Sequence, residues 1–173
     1  MSELTLRPAT PADIPALATL ARDSFVAKFG SLYSPEDLAT FLAEAYAEHV
    51  IAAELENPDR LYRLADKGGA LMGYCKLGLS CGWPEVARGR RAIELKQLYA
   101  AANATGLGIG TKLMDWTLTE ARARGADEIQ LSVFSGNTDG HRFYARHGFT
   151  KIGDATFRVG EQLDAEFLYA RMV

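Results

Sequence analysis

Apolar and polar residues alternate over Leu4–Arg7, the two-residue period of a half-buried strand. The period then lengthens. Ile14, Leu17, Leu20 and Ala21 recur at helical spacing, behind Thr10, Pro11 and Asp13, residue types that start helices. Ser34-Pro35-Glu36-Asp37 repeats that start signal ahead of Leu38, Phe41, Leu42 and Tyr46, and a further helix is predicted over Val50–Leu55. Leu61–Ala65 and Ala70–Leu79 flank Asp66-Lys67-Gly68-Gly69, predicting a hairpin. After a polar loop, Ser80–Arg91, the pattern predicts a strand over Ile93–Tyr99, a helix over Gly108–Arg124 stopped by Gly125, and a strand over Glu128–Phe134. A short helix over Asp139–His147 and strands over Lys151–Val159 and Ala165–Met172 follow. The fold class is α/β (α+β): about four helices covering a mixed, mostly antiparallel sheet of about seven strands.

At 173 residues the chain is expected to form one domain, 1–173, with a substantial core. The formal net charge of −3 gives no global attraction for nucleic acid or an anionic membrane, so neither is expected as a partner. No apolar run has bilayer-spanning length and the N-terminus lacks the layout of a signal peptide, which fits a cytoplasmic protein. Cys75 and Cys81 supply neither a disulfide framework nor metal spacing. His49, His141 and His147 add no ligand pattern, so no metal is expected.

The densest chemical signal is Thr105-Gly106-Leu107-Gly108-Ile109-Gly110-Thr111, set between a predicted strand and a predicted helix. Alternate glycines let a ligand approach the backbone, and the helix start behind them offers unpaired N–H groups and a positive dipole end. A phosphate-bearing ligand fits such a cradle. The order is wrong for a Walker loop, because Thr111 precedes Lys112, and Thr111 also occupies the last glycine position of a dinucleotide fingerprint. Lys112, in the first helical turn, and Arg88, Arg90 and Arg91 in the preceding loop are candidate phosphate partners.

A second motif follows: Asn137-x-x-Gly140-x-x-Phe143-Tyr144-x-x-x-Gly148-Phe149. This element order, with the glycine loop after the fourth strand and the second motif after the fifth, resembles the GNAT superfamily of N-acetyltransferases, most closely over Ile93–Phe149. The family loop, Gln/Arg-x-x-Gly-x-Gly/Ala, aligns on Gly108 and Gly110 and puts Thr105 where a long polar residue usually stands. The resemblance implies acetyl-coenzyme A as co-substrate. It implies a cofactor site built from the backbone of Leu98, Tyr99 and Ala100, from residues 105–112 (Thr105, Gly106, Leu107, Gly108, Ile109, Gly110, Thr111 and Lys112), and from Asn137 and Tyr144. It further implies that Tyr144 protonates the leaving thiolate and that a carboxylate near Glu94 takes the amine proton. A phenol is protonated at neutral pH, and a primary amine with pKa near about 10 needs a base there. Glu94 also stands on one face with Lys96, where the two could simply form an ion pair.

Phe29-Gly30-x-Leu32-Tyr33-Ser34-Pro35-Glu36-Asp37-Leu38 and Phe157-x-Val159-Gly160-Glu161-x-x-Asp164 are similar to the PaiA type of bacterial polyamine acetyltransferase. They make Phe29, Tyr33 and Glu36 candidate acceptor-binding residues, with the acidic Glu36–Glu56 segment suited either to selecting a cationic amine or to solubilising helix faces. The expected function is acetyl transfer to a small primary amine such as a polyamine, by a monomer or homodimer. A peptide α-amine or antibiotic acceptor, and a coenzyme-A-binding sensor without turnover, remain as alternatives.

Overall fold

The computed structural model describes residues 2–104 and 106–173. Seven strands form one mixed sheet in the order β1-β2-β3-β4-β5-β7-β6. They are β1 (Leu4–Pro8), β2 (Arg60–Lys67), β3 (Ala70–Gly78), β4 (Ala92–Ala100), β5 (Glu128–Phe134), β6 (Thr150–Val159) and β7 (Gln162–Met172). The helices among the described residues are α1 (Ile14–Phe29), α2 (Pro35–Tyr46), α3 (Glu48–Glu56), α4 (Ile109–Ala123) and α5 (Thr138–Arg146), with a few single 3₁₀ turns between elements.

The start signals act as local chemistry requires. The Thr10 backbone N–H donates to Asp13 Oδ2 at 2.8 Å, and the Asp37 N–H donates to Ser34 Oγ at 3.1 Å, each satisfying a donor near a helix end. Asp13 also takes a two-pronged ion pair from Arg7 at 2.8 Å on each oxygen, which holds its carboxyl down at about 2 and ties α1 to β1. In the β2–β3 turn, Asp66 Oδ1 accepts from Gly69 N–H at 2.7 Å.

Two apolar layers sandwich the sheet. Leu113, Met114, Leu118 and Ala121 of α4 pack on Cys75, Leu77, Ile93, Leu95, Ile129 and Leu131. On the other face Leu17, Leu20, Ala21 and Phe25 of α1, with Phe41, Tyr46 and Ile51, pack on Tyr62, Leu64 and Tyr74. Cys75 is a fully buried core thiol, pushed up to about 12 chiefly by burial.

Three local features position the site. β4 and β5 pair in parallel only at Ala92–Glu128, Ile93–Ile129 and Glu94–Gln130, and then part. Lys96 is the extra residue of a bulge, since Lys76 opposes Gln97 while Leu77 opposes Leu95. The bulge switches the faces of β4: Ile93 and Leu95 point at α4 before it, Leu98 and Ala100 after it, leaving Gln97 and Tyr99 toward α1–α3. The third feature removes one expectation. Arg88, Arg90 and Arg91 lie before the first residue of β4 while the glycine loop follows its last, about 30 Å away along the strand. The backbone N–H groups there are held at the start of β5: Arg88 and Gly89 donate to Glu128, its first residue, at 2.7 Å, and Arg90 and Arg91 to Asp127, just before it, at 2.8 and 2.9 Å. The basic cluster therefore closes the far end of the sheet and is no phosphate site.

No helix among the described residues is long and apolar enough to cross a membrane.

Candidate active site

Where β4 and β5 part, the chain leaves one edge of β4 without a strand partner from Leu95 onward. Ala101 N–H bonds Met72 O at 2.9 Å. Hydrogen-bonding direction alternates along an antiparallel pair, so the amides of Gln97 and Tyr99 face β3 and those of Leu98 and Ala100 face the opening. An extended ligand laid there would complete the strand, and buried amide groups require such partners. A cleft of about 930 Å³ occupies the opening and runs from the glycine loop to β7.

At one end of the cleft, the loop delivers the chain into α4. Gly106 and Gly108 have φ of 82° and 76°, a conformation that side chains disfavour, and a Cβ at either would meet nothing within 4 Å. The space in front of both is open. The first intrahelical bond is Lys112 N–H to Gly108 O at 3.1 Å, so the amides of the first turn lack intrahelical partners and point outward with the positive end of the helix dipole. Gly110 serves packing instead, because a Cβ there would lie 3.3 Å from the Phe143 ring of α5.

α5 forms the adjoining wall. Asn137 Oδ1 caps it, accepting from Gly140 N–H at 3.0 Å, and a side chain at 140 would collide with that cap. Tyr144 sits between Phe143 and Phe149 in edge-to-face contacts at 5.2 and 5.8 Å. Burial raises its phenol above the ordinary value, with Cys75 adding to the rise, so the group stays protonated at neutral pH.

The other end of the cleft is aromatic. Phe25 packs on Phe41 and Tyr33 at 4.6 and 5.9 Å, and Phe41 meets Phe157 of β6 at 5.6 Å. Tyr33 donates to Asp164 Oδ2 at 2.6 Å, and Glu161 N–H donates to Asp37 Oδ1 at 2.7 Å, which locks the start of α2 onto the β6–β7 turn. Glu166 lies one alternation beyond Asp164 on β7, opposite Phe134, and lines the cleft while only 8% exposed. Burial raises its carboxyl to about 7, with the Asp164 charge adding to the rise and a Ser132 hydrogen bond opposing it. It is thus poised to exchange a proton near neutrality.

The structure brings most of the expected residues to this one cleft. Leu98, Tyr99, Ala100, Gly106, Gly108, Ile109, Gly110, Thr111, Asn137 and Tyr144 line it, as do Phe29 and Tyr33. Ile109 contributes backbone, since its side chain is in the core. The Tyr99 hydroxyl turns toward Tyr46 on the opposite layer. Leu107 and Lys112 are exposed beside the loop, outside the lining, and Thr105 lies outside the described residues. Glu36 is exposed on α2, away from the wall. Glu94 is also outside the lining. It is bound to Lys96 Nζ at 2.8 Å and packs against Gly82, where a Cβ would lie 3.0 Å from Oε2. The residue that sequence reading missed is Glu166. Its signal was a carboxylate sharing a strand face with Leu168 and Ala170, a buried face on which an acid is unusual.

Residues 18–149 match the acetyltransferase (GNAT) family. The structure superposes on that of the PaiA N-acetyltransferase from Thermoplasma acidophilum in complex with coenzyme A, with a TM-score of 0.80 and 22% identity over 99% of both chains. Among curated proteins, an uncharacterized N-acetyltransferase of Lactobacillus delbrueckii subsp. lactis is 26% identical over 90% of each chain. Spermidine N(1)-acetyltransferase of Thermoplasma acidophilum is 26% identical over 82% of this chain and 84% of its own. With a family match across most of its length and the splayed sheet, glycine loop and capped α5 in one cleft, the chain belongs to the GNAT family and is an N-acetyltransferase.

Proposed function

We propose that this protein moves the acetyl group of acetyl-coenzyme A directly to the primary amine of a small molecule. The observation that carries this reading is the single cleft joining the outward amides of β4 and α4 to Tyr144 and to the buried carboxylate of Glu166. The first-turn amides of α4 and the glycine loop hold the pyrophosphate, and the free edge of β4 holds the pantetheine arm as a strand would. Asn137, whose Oδ1 is committed to Gly140, offers its amide N–H₂ to that arm. The Leu98 amide polarises the thioester carbonyl.

Glu166 accepts a proton from the bound ammonium, and the neutral nitrogen attacks the carbonyl carbon. The C–N bond forms, the C–S bond breaks, and the sulfur leaves with the proton of Tyr144. The nitrogen gives up its second proton through water to the Tyr144 phenolate, and Glu166 passes its own to bulk water, which restores the site with one net proton released. Coenzyme A release from acetyl-coenzyme A, followed with a thiol reagent across a panel of amines, tests the reading. Amine-dependent thiol release with the acetylated amine as co-product is expected. Binding of acetyl-coenzyme A with no amine-dependent release would make the protein a coenzyme sensor instead.

A further inference from the structure

Rings wall the acceptor half of the cleft. Phe41 meets Phe157 at 5.6 Å and Phe29 meets Phe134 at 6.3 Å, both edge to face, so α1, α2, β5 and β6 close around one apolar space. Most of the uncharged polar groups on this wall are already partnered: Gln97 donates to the Tyr46 hydroxyl at 3.5 Å, Tyr33 to Asp164 at 2.6 Å, and Ser132 to Glu166. The hydroxyl of Ser24, 6% exposed, has no partner among the described residues.

The carboxylates that could have made this an acidic site lie elsewhere or are already used. Glu36, Glu44, Glu48 and Glu56 are exposed outside the wall. Glu54 is held by Lys76 at 3.1 Å and Arg60 at 3.4 Å. Asp164 has both oxygens occupied, Oδ2 by Tyr33 at 2.6 Å and Oδ1 by Gln162 at 2.7 Å. Besides Glu166, the charged side chains on the cleft wall are Asp139, Lys28, Lys96 and Arg146, and most of these are basic.

A polyamine carries further ammonium groups a few carbons from the one that reacts. Each must keep water or meet a carboxylate when it enters an apolar site. The Asp139 side chain is 88% exposed at the rim beside Arg142, so this cleft offers one buried carboxylate, Glu166, and that one is needed by the reacting nitrogen. A second ammonium would lie among rings or face Lys28, since the other cleft lysine, Lys96, is already paired with Glu94. We infer that the acceptor is a monocationic primary amine on an apolar body, an alkylamine or arylalkylamine, with its ammonium on Glu166 and its body between Phe41, Phe157, Phe29 and Phe134. This rests on the acetyl-transfer reading above, and it departs from what the spermidine-acetylating relative's name would lead one to expect.

The test compares hexylamine and phenethylamine with putrescine and spermidine, by thiol release at saturating acetyl-coenzyme A. The monoamines should exceed the polyamines in kcat/KM by about 10-fold or more. Equal or better turnover of putrescine or spermidine overturns the inference and leaves acetyl transfer standing, whereas no release with any amine overturns acetyl transfer itself. Phe157 is 40% exposed at the rim, so Phe157→Glu adds a second carboxylate to the wall with little burial cost. It should raise the putrescine-to-hexylamine ratio of kcat/KM by about 10-fold. An unchanged ratio in the folded variant would count against the charge argument, and the wild-type panel decides the matter without it.

Discussion

Glu166→Gln separates the chemical role of this carboxyl from its structural effect, because the two move in opposite directions. The folded-state value of about 7 lies above the ordinary 4.5, so between those pH values the folded chain holds a proton that the unfolded chain has lost. Stability therefore falls as pH rises from 4.5 to about 7, then levels. That displacement corresponds to an upper limit of ~3 kcal/mol, and water in the open cleft screens it to about 1–2 kcal/mol. Glutamine does not ionise. The variant should match the wild type in urea melts near pH 4 and exceed it by about 1–2 kcal/mol at pH 8. Activity should move the other way. Wild-type kcat/KM should rise through about pH 7 as Glu166 ionises, then level. The variant should lose that limb, fall roughly 10²–10⁴-fold at neutral pH, and recover only as the free amine deprotonates near about pH 10. Glu94→Gln is the matched comparison, since it breaks only the ion pair with Lys96 and should cost less than about 10-fold. A Glu166→Gln enzyme that keeps the limb near pH 7 and most of its rate, beside a Glu94→Gln enzyme that loses both, would refute the assignment and return the proton to Glu94.

The other predictions address the rest of the cleft. Tyr144→Phe keeps the ring contacts with Phe143 and Phe149, so stability should change by less than about 1 kcal/mol while kcat falls about 10-fold or more and coenzyme affinity holds; full kcat would free the hydroxyl of its role as acid. Gly108→Ala and Gly125→Ala both force a side chain onto a residue at φ 76°, with about 1–2 kcal/mol of strain each. Only the first should weaken acetyl-coenzyme A in calorimetric titration, by about 10-fold or more, and equal losses would make the effect one of strain alone. Tyr33→Phe leaves the buried Asp164 without its 2.6 Å donor and should cost about 1–3 kcal/mol in denaturant melts, whereas an unchanged midpoint would show the α2–β7 link to be dispensable.

Much of the architecture was legible because local chemistry dictates it. Thr10 with Asp13, Ser34 with Asp37, and Asp66 with Gly69 satisfy backbone donors within a few residues, so the elements they start or turn could be read without knowing the fold. The glycine loop was legible for a related reason, since the positive φ at Gly106 and Gly108 is a backbone requirement that the sequence states directly. The pairing of Glu94 with Lys96 also followed from spacing along one strand. What the cleft contains was decided by tertiary structure. The bulge at Lys96 switches the faces of β4, and the early parting of β4 from β5 frees the Leu98 amide; both depend on strand register, which no single segment specifies. Arg88–Arg91 and the glycine loop are neighbours in sequence order but stand at opposite ends of the same strand, the arginine end tied down by Asp127 and Glu128 where β5 begins. Glu166 faces the cleft only because β7 inserts between β5 and β6, which sets its strand face toward α1 and α2 and strips the carboxyl of water. A desolvated charge is a property of its surroundings. The sequence supplied the residue, and the packing of distant segments around it supplied its proton affinity.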